Sequence, residues 1–513
     1  MCGIAGFCNF KEDFEENTDY WNFRLEKMRA VLAHRGNDAR GRYLKKHIGL
    51  SHSRLAIRDI LCGDQPMTRT HNGYDYTICY NGEIYNTDEL IPELSENGFV
   101  CSTTSDTEVI LYAYIHWGAD FVNRLNGIFA FAIWDAAKSQ LLLYRDRVGV
   151  KPLFYAIRGD SLVFGSEPKA CFAHPAVKPE LDKQGLQELL AIGPAHTSGL
   201  SLFKDLFEVL PGHFMIYSRD GLHDETYWEL TSREHTESYR DTVAHTRFLV
   251  EDAIKRQMVS DVPVCTFLSG GIDSSIVTAI AANYMNTRGK TLNTFSFDFK
   301  DNDRYFKANA FQPERDLPYV NRMLEEYETA HSYLECDENS LFKALFAAVD
   351  AKDMPGMTDV DSSLLYFCSL VSRKNKVALT GECADEIFGG YPWFYRKELL
   401  ERYGFPWSSD VAPRLALLRD DVGFELDLSG YQAFRYEESR SKAPLLYGEA
   451  GEDESRRIIG YLNIKWFMQT LLDRMDRTSM YSELEARVPF ADHRIIEYVF
   501  NVPWHMKYQN GVE

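Results

Sequence analysis

Short apolar runs separated by turn signals dominate residues 1–228. Residues 76–80, 128–134, 141–145 and 161–165 read as β-strands, with Asn81-Gly82 and Arg158-Gly159-Asp160 as turns between such runs. Residues 105–117 form a helical stretch, opened by Ser105 and Glu108 at capping-box spacing. This pattern predicts stacked antiparallel sheets with a few helices. Residues 229–241 are polar and lack an apolar period, which predicts a linker.

From about residue 242 the pattern changes. An apolar run at 262–268 predicts a buried strand; a glycine turn, a helix over 273–285 and a second strand over 292–297 follow. Strand–helix–strand order predicts a parallel α/β sheet, and residues 377–380 read as a further strand of it. Ligands of such sheets bind at the carboxyl ends of the strands. The acidic cluster at 449–454 predicts a solvated loop. Two domains follow, 2–228 and 242–513.

Composition narrows the class. A chain of 513 residues exceeds one ordinary domain, and 45% hydrophobic with 26% charged residues describes a soluble globular protein. A net charge of −20 argues against a nucleic-acid or anionic-membrane partner. The ten cysteines are scattered, with no zinc-ribbon or dithiol spacing, which suits a reducing compartment. Neither a membrane span nor a signal peptide is legible, so a cytoplasmic location is expected.

Two features carry chemistry. Cys2 follows the initiator methionine in Met1-Cys2-Gly3-Ile4-Ala5-Gly6, and trimming of Met1 would put a thiol and a free α-amine on one residue. The thiolate is a nucleophile, and an amine titrating at about 7.7–8.0 is a suitable base. Ser269-Gly270-Gly271-Ile272-Asp273-Ser274-Ser275 lies between a strand and a helix. Its glycines allow close backbone approach, and the helix N-terminus offers N–H groups to phosphate. No Gly-Lys-Ser/Thr follows, so it is not a Walker loop.

These two motifs, in this order, resemble the glutamine-hydrolysing asparagine synthetases over essentially the whole chain. The resemblance implies an α+β N-terminal-nucleophile hydrolase sandwich of stacked antiparallel sheets with helices, followed by an α/β domain with a parallel sheet and a pyrophosphate-binding loop. It implies that Cys2 attacks the glutamine amide, with Asn81 and Gly82 of Asn81-Gly82-Glu83-Ile84-Tyr85-Asn86 as the oxyanion hole. Glutamine would be held by Arg54-Leu55-Ala56-Ile57-Arg58, Glu83 and Asp106, with Arg54 on its α-carboxylate and Asp106 on its ammonium group. ATP would contact Leu268, Ser269, Gly270, Gly271, Asp273, Ser274, Phe297, Thr380 and Gly381. Asp273 and Asp385 would bind Mg2+, and Glu382 would lie near the acyl-adenylate.

The implied reaction amidates a carboxylate, aspartate by default, through an acyl-AMP. A cell-wall precursor or peptide is the alternative acceptor, and a homodimer is a possible assembly. Segments 145–152 and 484–492 read as architecture or domain interface. Three positions depart from the family pattern: Asn37 for proline, where only loop stiffness is expected to change, and Cys383 and Asp298 for glycine. The long polar stretch 300–318 is expected to shape the acceptor pocket. A catalytic lysine is expected one residue past Glu513, so the chain reads as a truncated form or as a glutaminase with an impaired synthetase half.

Overall fold

The computed structural model describes residues 2–308, 314–408 and 410–509. Strands are numbered in chain order. The first sheet has six antiparallel strands in the order β10 (Phe207–Glu208), β8 (Phe154–Arg158), β9 (Ser161–Gly165), β1 (Cys2–Asn9), β3 (Ile48–Arg54), β2 (Ala39–Lys45). The second has six in the order β12 (Gly221–Thr226), β11 (His213–Ser218), β7 (Gln140–Arg145), β6 (Gly127–Asp135), β5 (Tyr74–Ile84), β4 (Met67–His71), again antiparallel.

Alternation along the strands stacks these sheets. Ile4 and Cys8 of β1 meet Cys79 of β5 and Ala130 and Ala132 of β6 in one buried cluster. The intervening Ala5 and Phe7 turn the other way, against Leu25 and Met28 of helix Thr18–Ala30. On the far side, Tyr80, Phe129 and Phe131 pack on Val109, Ile110 and Ala113 of helix Asp106–Trp117. Two-residue periodicity thus yields helix, sheet, sheet, helix.

The third sheet is parallel, in the order β15 (Thr329–Cys336), β14 (Leu292–Phe299), β13 (Val264–Phe267), β16 (Val377–Leu379), β17 (Glu485–Arg487). Its central strands β13 and β16 are short and mostly buried because helices cover both faces. Val277 and Ala281 pack on one face; Phe367 and Val371 pack on the other. Leu55, Ile57, Val148 and Val150 from the first half join Val377, Met468 and Ile496 in a single core cluster. The expected architecture is therefore met, and the halves share a core.

Several local expectations change. Asn81-Gly82 is not a turn: both residues lie inside β5, opposite Ala130 and Phe129 of β6. Glycine is needed there for close approach, since a Cβ on Gly82 would lie 2.2 Å from the Ile128 carbonyl. The capping box is incomplete. Ser105 accepts from the Thr107 N–H, but the Glu108 carboxylate accepts from Ser102 and Thr103 N–H and pairs with Arg69. Of the acidic cluster, Glu452 onward is the first turn of helix Glu452–Leu462, where carboxylates suit the positive helix end, and Glu449 pairs with Arg457. The linker is shorter than expected, because Ser238 caps a helix Tyr239–Arg256 and Leu230 is buried in the shared core. Asn37 does more than change stiffness: its Nδ2 donates to Glu483 Oε1 at 2.5 Å, tying the two halves together.

Segments 145–152 and 484–492 do face each other's half. Lys151 Nζ pairs with Asp476 at 2.9 Å, and Arg487 pairs with Glu83 at 3.2 Å. Within the polar stretch 300–318, residues 309–313 lie outside the described residues, as do Met1 and the final residues 510–513.

Candidate active sites

Cys2 opens β1, directly opposite Arg54 of β3, and is 7% exposed. Asn81 reaches it from the second sheet. The Cys2 main-chain N–H donates to Asn81 Oδ1 at 2.9 Å. The other end of that amide, Asn81 Nδ2, is buried and has no partner among the described residues. An orphaned amide donor beside a nucleophile is costly unless an oxyanion takes it up. Burial pushes the Cys2 thiol above its usual range, opposed by the Leu55 backbone N–H and by Arg54. Arg35 holds the other side of the residue, its Nε donating to the Cys2 carbonyl at 3.1 Å.

The remaining glutaminase candidates gather around this point. Arg54 is buried, with its guanidinium on the Asp64 carboxylate at 2.9 Å and the Asp59 carbonyl at 2.6 Å. Leu55, Ala56 and Ile57 are buried, and the Ala56 N–H donates to Asp38. Arg58 pairs with Glu83 at 3.1 Å, and Glu83 also receives Arg487. Asp106 accepts the Tyr80 hydroxyl at 2.9 Å and the Ile84 N–H at 3.0 Å. In this state, therefore, Arg54, Glu83 and Asp106 all have partners within the protein.

The second site lies at the carboxyl ends of β13 and β16. Gly271 caps helix Ile272–Asn286. Gly270 has φ +86, and a Cβ there would lie 2.8 Å from the Asp316 carbonyl. Ser274 Oγ donates to the Gly271 carbonyl at 3.1 Å and accepts from the Ser269 N–H at 3.2 Å, which closes the loop on itself. Gly381 is forced by packing, since a Cβ would meet the Ser274 nitrogen at 2.8 Å. The Thr380 N–H is anchored on the Arg487 carbonyl, and the Leu268 carbonyl accepts from Ser296 Oγ. Phe297 packs on Phe367, one of the walls.

These elements enclose a cavity of about 470 Å³ whose lining includes Ser269, Asp273, Gly381, Glu382, Asp385 and Arg474. Burial, then the neighbouring Glu382, raises the Asp385 carboxyl; burial lifts Glu386 to about 8, and Tyr391 donates its hydroxyl to it. The wall thus concentrates carboxylates, with Asp273 and Asp385 on one cavity. Among the described residues no group of three or more His, Cys, Asp or Glu side chains is poised for a metal. Two carboxylates on one cavity nonetheless form a donor set that suits Mg2+, which keeps open positions. Asp298 points elsewhere, accepting from Asn302 and Tyr333.

Sequence reasoning missed Arg35, Arg474 and Asp476. Arg35 Nη1 pairs with Glu167 at 2.9 Å and Nη2 with Asp476 at 2.8 Å, all fully or almost fully buried. Burial would raise the Asp476 carboxyl, but Arg35 and Lys151 outweigh it and hold it low. Arg474 and Asp476 sit on helix Met468–Met480, where charged positions interrupt an apolar stripe. That interruption is the one sequence signal available, and it does not reveal the partners.

A family profile described as "Glutamine amidotransferase domain" matches residues 1–228, and one described as "Asparagine synthase" matches residues 245–513. The chain is 48% identical over 514 residues to asparagine synthetase (glutamine-hydrolyzing) 3 of Bacillus subtilis, covering 100% of this chain and 83% of that protein. It is 29% identical to asparagine synthetase (glutamine-hydrolyzing) 1 of the same organism, over 100% of this chain and 82% of the relative. It is also 29% identical to Amidase chyE of Penicillium rubens, over 99% of this chain and 83% of that one.

Proposed function

The chain belongs to the glutamine-hydrolysing asparagine synthetase family, and from that premise we propose how its residues divide the work. Cys2 Sγ attacks the glutamine side-chain carbonyl; the C–N bond breaks, ammonia leaves, and water hydrolyses the thioester to glutamate. The observation that carries this reading is the Asn81 side chain, which spends its oxygen on the Cys2 nitrogen and leaves its buried Nδ2 free to donate to the oxyanion. Arg54 and Asp106 release protein partners to take the substrate's α-carboxylate and ammonium group.

In the later half, the loop 269–275 and the N-terminus of helix Ile272–Asn286 hold the ATP phosphates. The acceptor's carboxylate, that of aspartate, attacks the α-phosphorus and expels pyrophosphate; ammonia then displaces AMP to give the amide. Asp273 and Asp385 would hold Mg2+, which neutralises phosphate charge when bound. Glu382 faces the acyl-adenylate. Ammonia passes between the sites inside the protein, since water would protonate it. The setting is cytoplasmic.

Cys2→Ala tests the division of labour. The variant is expected to lose glutamine-driven asparagine formation and to keep ammonia-driven formation; loss of both overturns the two-site reading.

A further inference from the structure

The cavity at the ends of β13 and β16 must admit two anions, a triphosphate and a carboxylate, yet its wall carries Asp273, Glu382, Asp385 and Glu386. Among the described residues that line it, Arg474 is the sole lysine or arginine. The residue stands on helix Met468–Met480, with Leu471 one turn before it and Met475 beside it on the same wall. Its Nη2 donates to both oxygens of Glu382, at 3.0 and 3.3 Å. Its Nε is buried and has no partner among the described residues.

We propose that Arg474 binds the reacting carboxylate of the acceptor, and that Glu382 holds the guanidinium in place until the acceptor arrives. The inference rests on the two-site reading above and deepens it. A guanidinium presents a planar fork that matches a carboxylate bidentately. Glu382 engages only Nη2, while the orphaned Nε has a donor to spare for a second carboxylate. The chemistry needs such a group. Attack of a carboxylate oxygen on the α-phosphorus brings two anions together: the O–P bond forms, the bond to pyrophosphate breaks, and the electron pair leaves with pyrophosphate. No proton is released, so the repulsion is relieved only by fixed positive charge. A cation at Arg474 that meets the attacking carboxylate lowers this repulsion, leaving the phosphates to the loop and the metal.

The test is steady-state pyrophosphate release by the full chain, with ammonia as nitrogen donor and L-aspartate and ATP titrated separately. Arg474→Met keeps the length and removes the charge. Losing a charge-assisted hydrogen bond to the acceptor is expected to raise the KM for aspartate roughly thirtyfold, with the KM for ATP changed less than about threefold. An unchanged aspartate KM, or equal increases for aspartate and ATP, overturns the proposal. Where Arg474→Met turns over too slowly to titrate or unfolds early on heating, Arg474→Gln, which also removes the charge but keeps a polar end, is titrated instead and judged by the same two numbers. Failure of the underlying reading looks different: the wild-type chain then releases no pyrophosphate with aspartate.

Discussion

The side-chain oxygen of Asn81 accepts a hydrogen bond from the main-chain nitrogen of Cys2 at 2.9 Å, across the gap between two stacked sheets. One planar amide therefore fixes its own orientation. With the oxygen committed to Cys2, the NH2 end is the donor that the proposed mechanism assigns to the substrate oxyanion. In the proposed mechanism, removal of Met1 would leave this contact orienting a free α-amine.

Asn81→Ala removes both functions while leaving Cys2 in its strand. Glutaminase kcat is expected to fall roughly 10²- to 10³-fold, the usual effect of deleting an oxyanion donor. Ammonia-driven asparagine formation is expected to persist. Glutamate release and AMP formation, followed in parallel, check both statements.

Asp476→Asn probes the contact between the halves. Asp476 is buried between Arg35 and Lys151, at 2.8 and 2.9 Å. Removing its charge leaves two buried cations short of a partner, which costs about 3–5 kcal/mol. The midpoint of urea unfolding is expected to drop accordingly. Because Arg35 also holds the Cys2 carbonyl, glutaminase activity is expected to fall with it.

Cys383 occupies the left-handed region, with φ +78 and ψ −6, just before helix Ala384–Phe388. A non-glycine residue there carries strain of about 1–2 kcal/mol. Cys383→Gly relieves it but forfeits a buried side chain of similar worth. The stability change is expected within ~1 kcal/mol of zero. Cys383→Val, branched at Cβ, is expected to lose more than ~2 kcal/mol. Thermal unfolding of the pair separates strain from packing.

Acid sensitivity has a defined origin. Burial alone would raise the Glu208 carboxyl, but His196 and Arg145 prevail and bring it to about 2. A depressed carboxylate contributes stability above its unfolded pKa of about 4.3 and loses it as pH falls toward 2. The contribution is on the order of 3 kcal/mol. Tm is therefore expected to decline steeply between about pH 4.5 and 2.5, and Glu208→Gln is expected to flatten that decline.

The extent to which the sequence was legible follows from how local each signal is. The strand–glycine–helix unit at 264–286 was readable because strand, turn and helix lie within one short stretch and obey local rules. The same local rules misread Asn81-Gly82. As a dipeptide it favours a hairpin, but nine cross-strand pairs to β6 hold it extended. Arg474 gave no usable signal, because its carboxylate partner Glu382 lies about ninety positions earlier in the chain.

Apolar periodicity was thus enough to determine the stacked antiparallel sheets and the parallel sheet, and two glycine-containing motifs singled out Cys2 and the loop 269–275 as candidates. The folded chain alone decided which polar atoms have partners: that Asn81 keeps one donor unspent, that Arg35 joins the strand of Cys2 to Asp476, and that among the described residues a single arginine lines the carboxylate-rich cavity. The division has a physical cause. Secondary structure is set by neighbours a few residues apart, whereas charge and hydrogen-bond satisfaction in a buried site depend on groups brought together from distant strands and helices, at distances no linear pattern encodes.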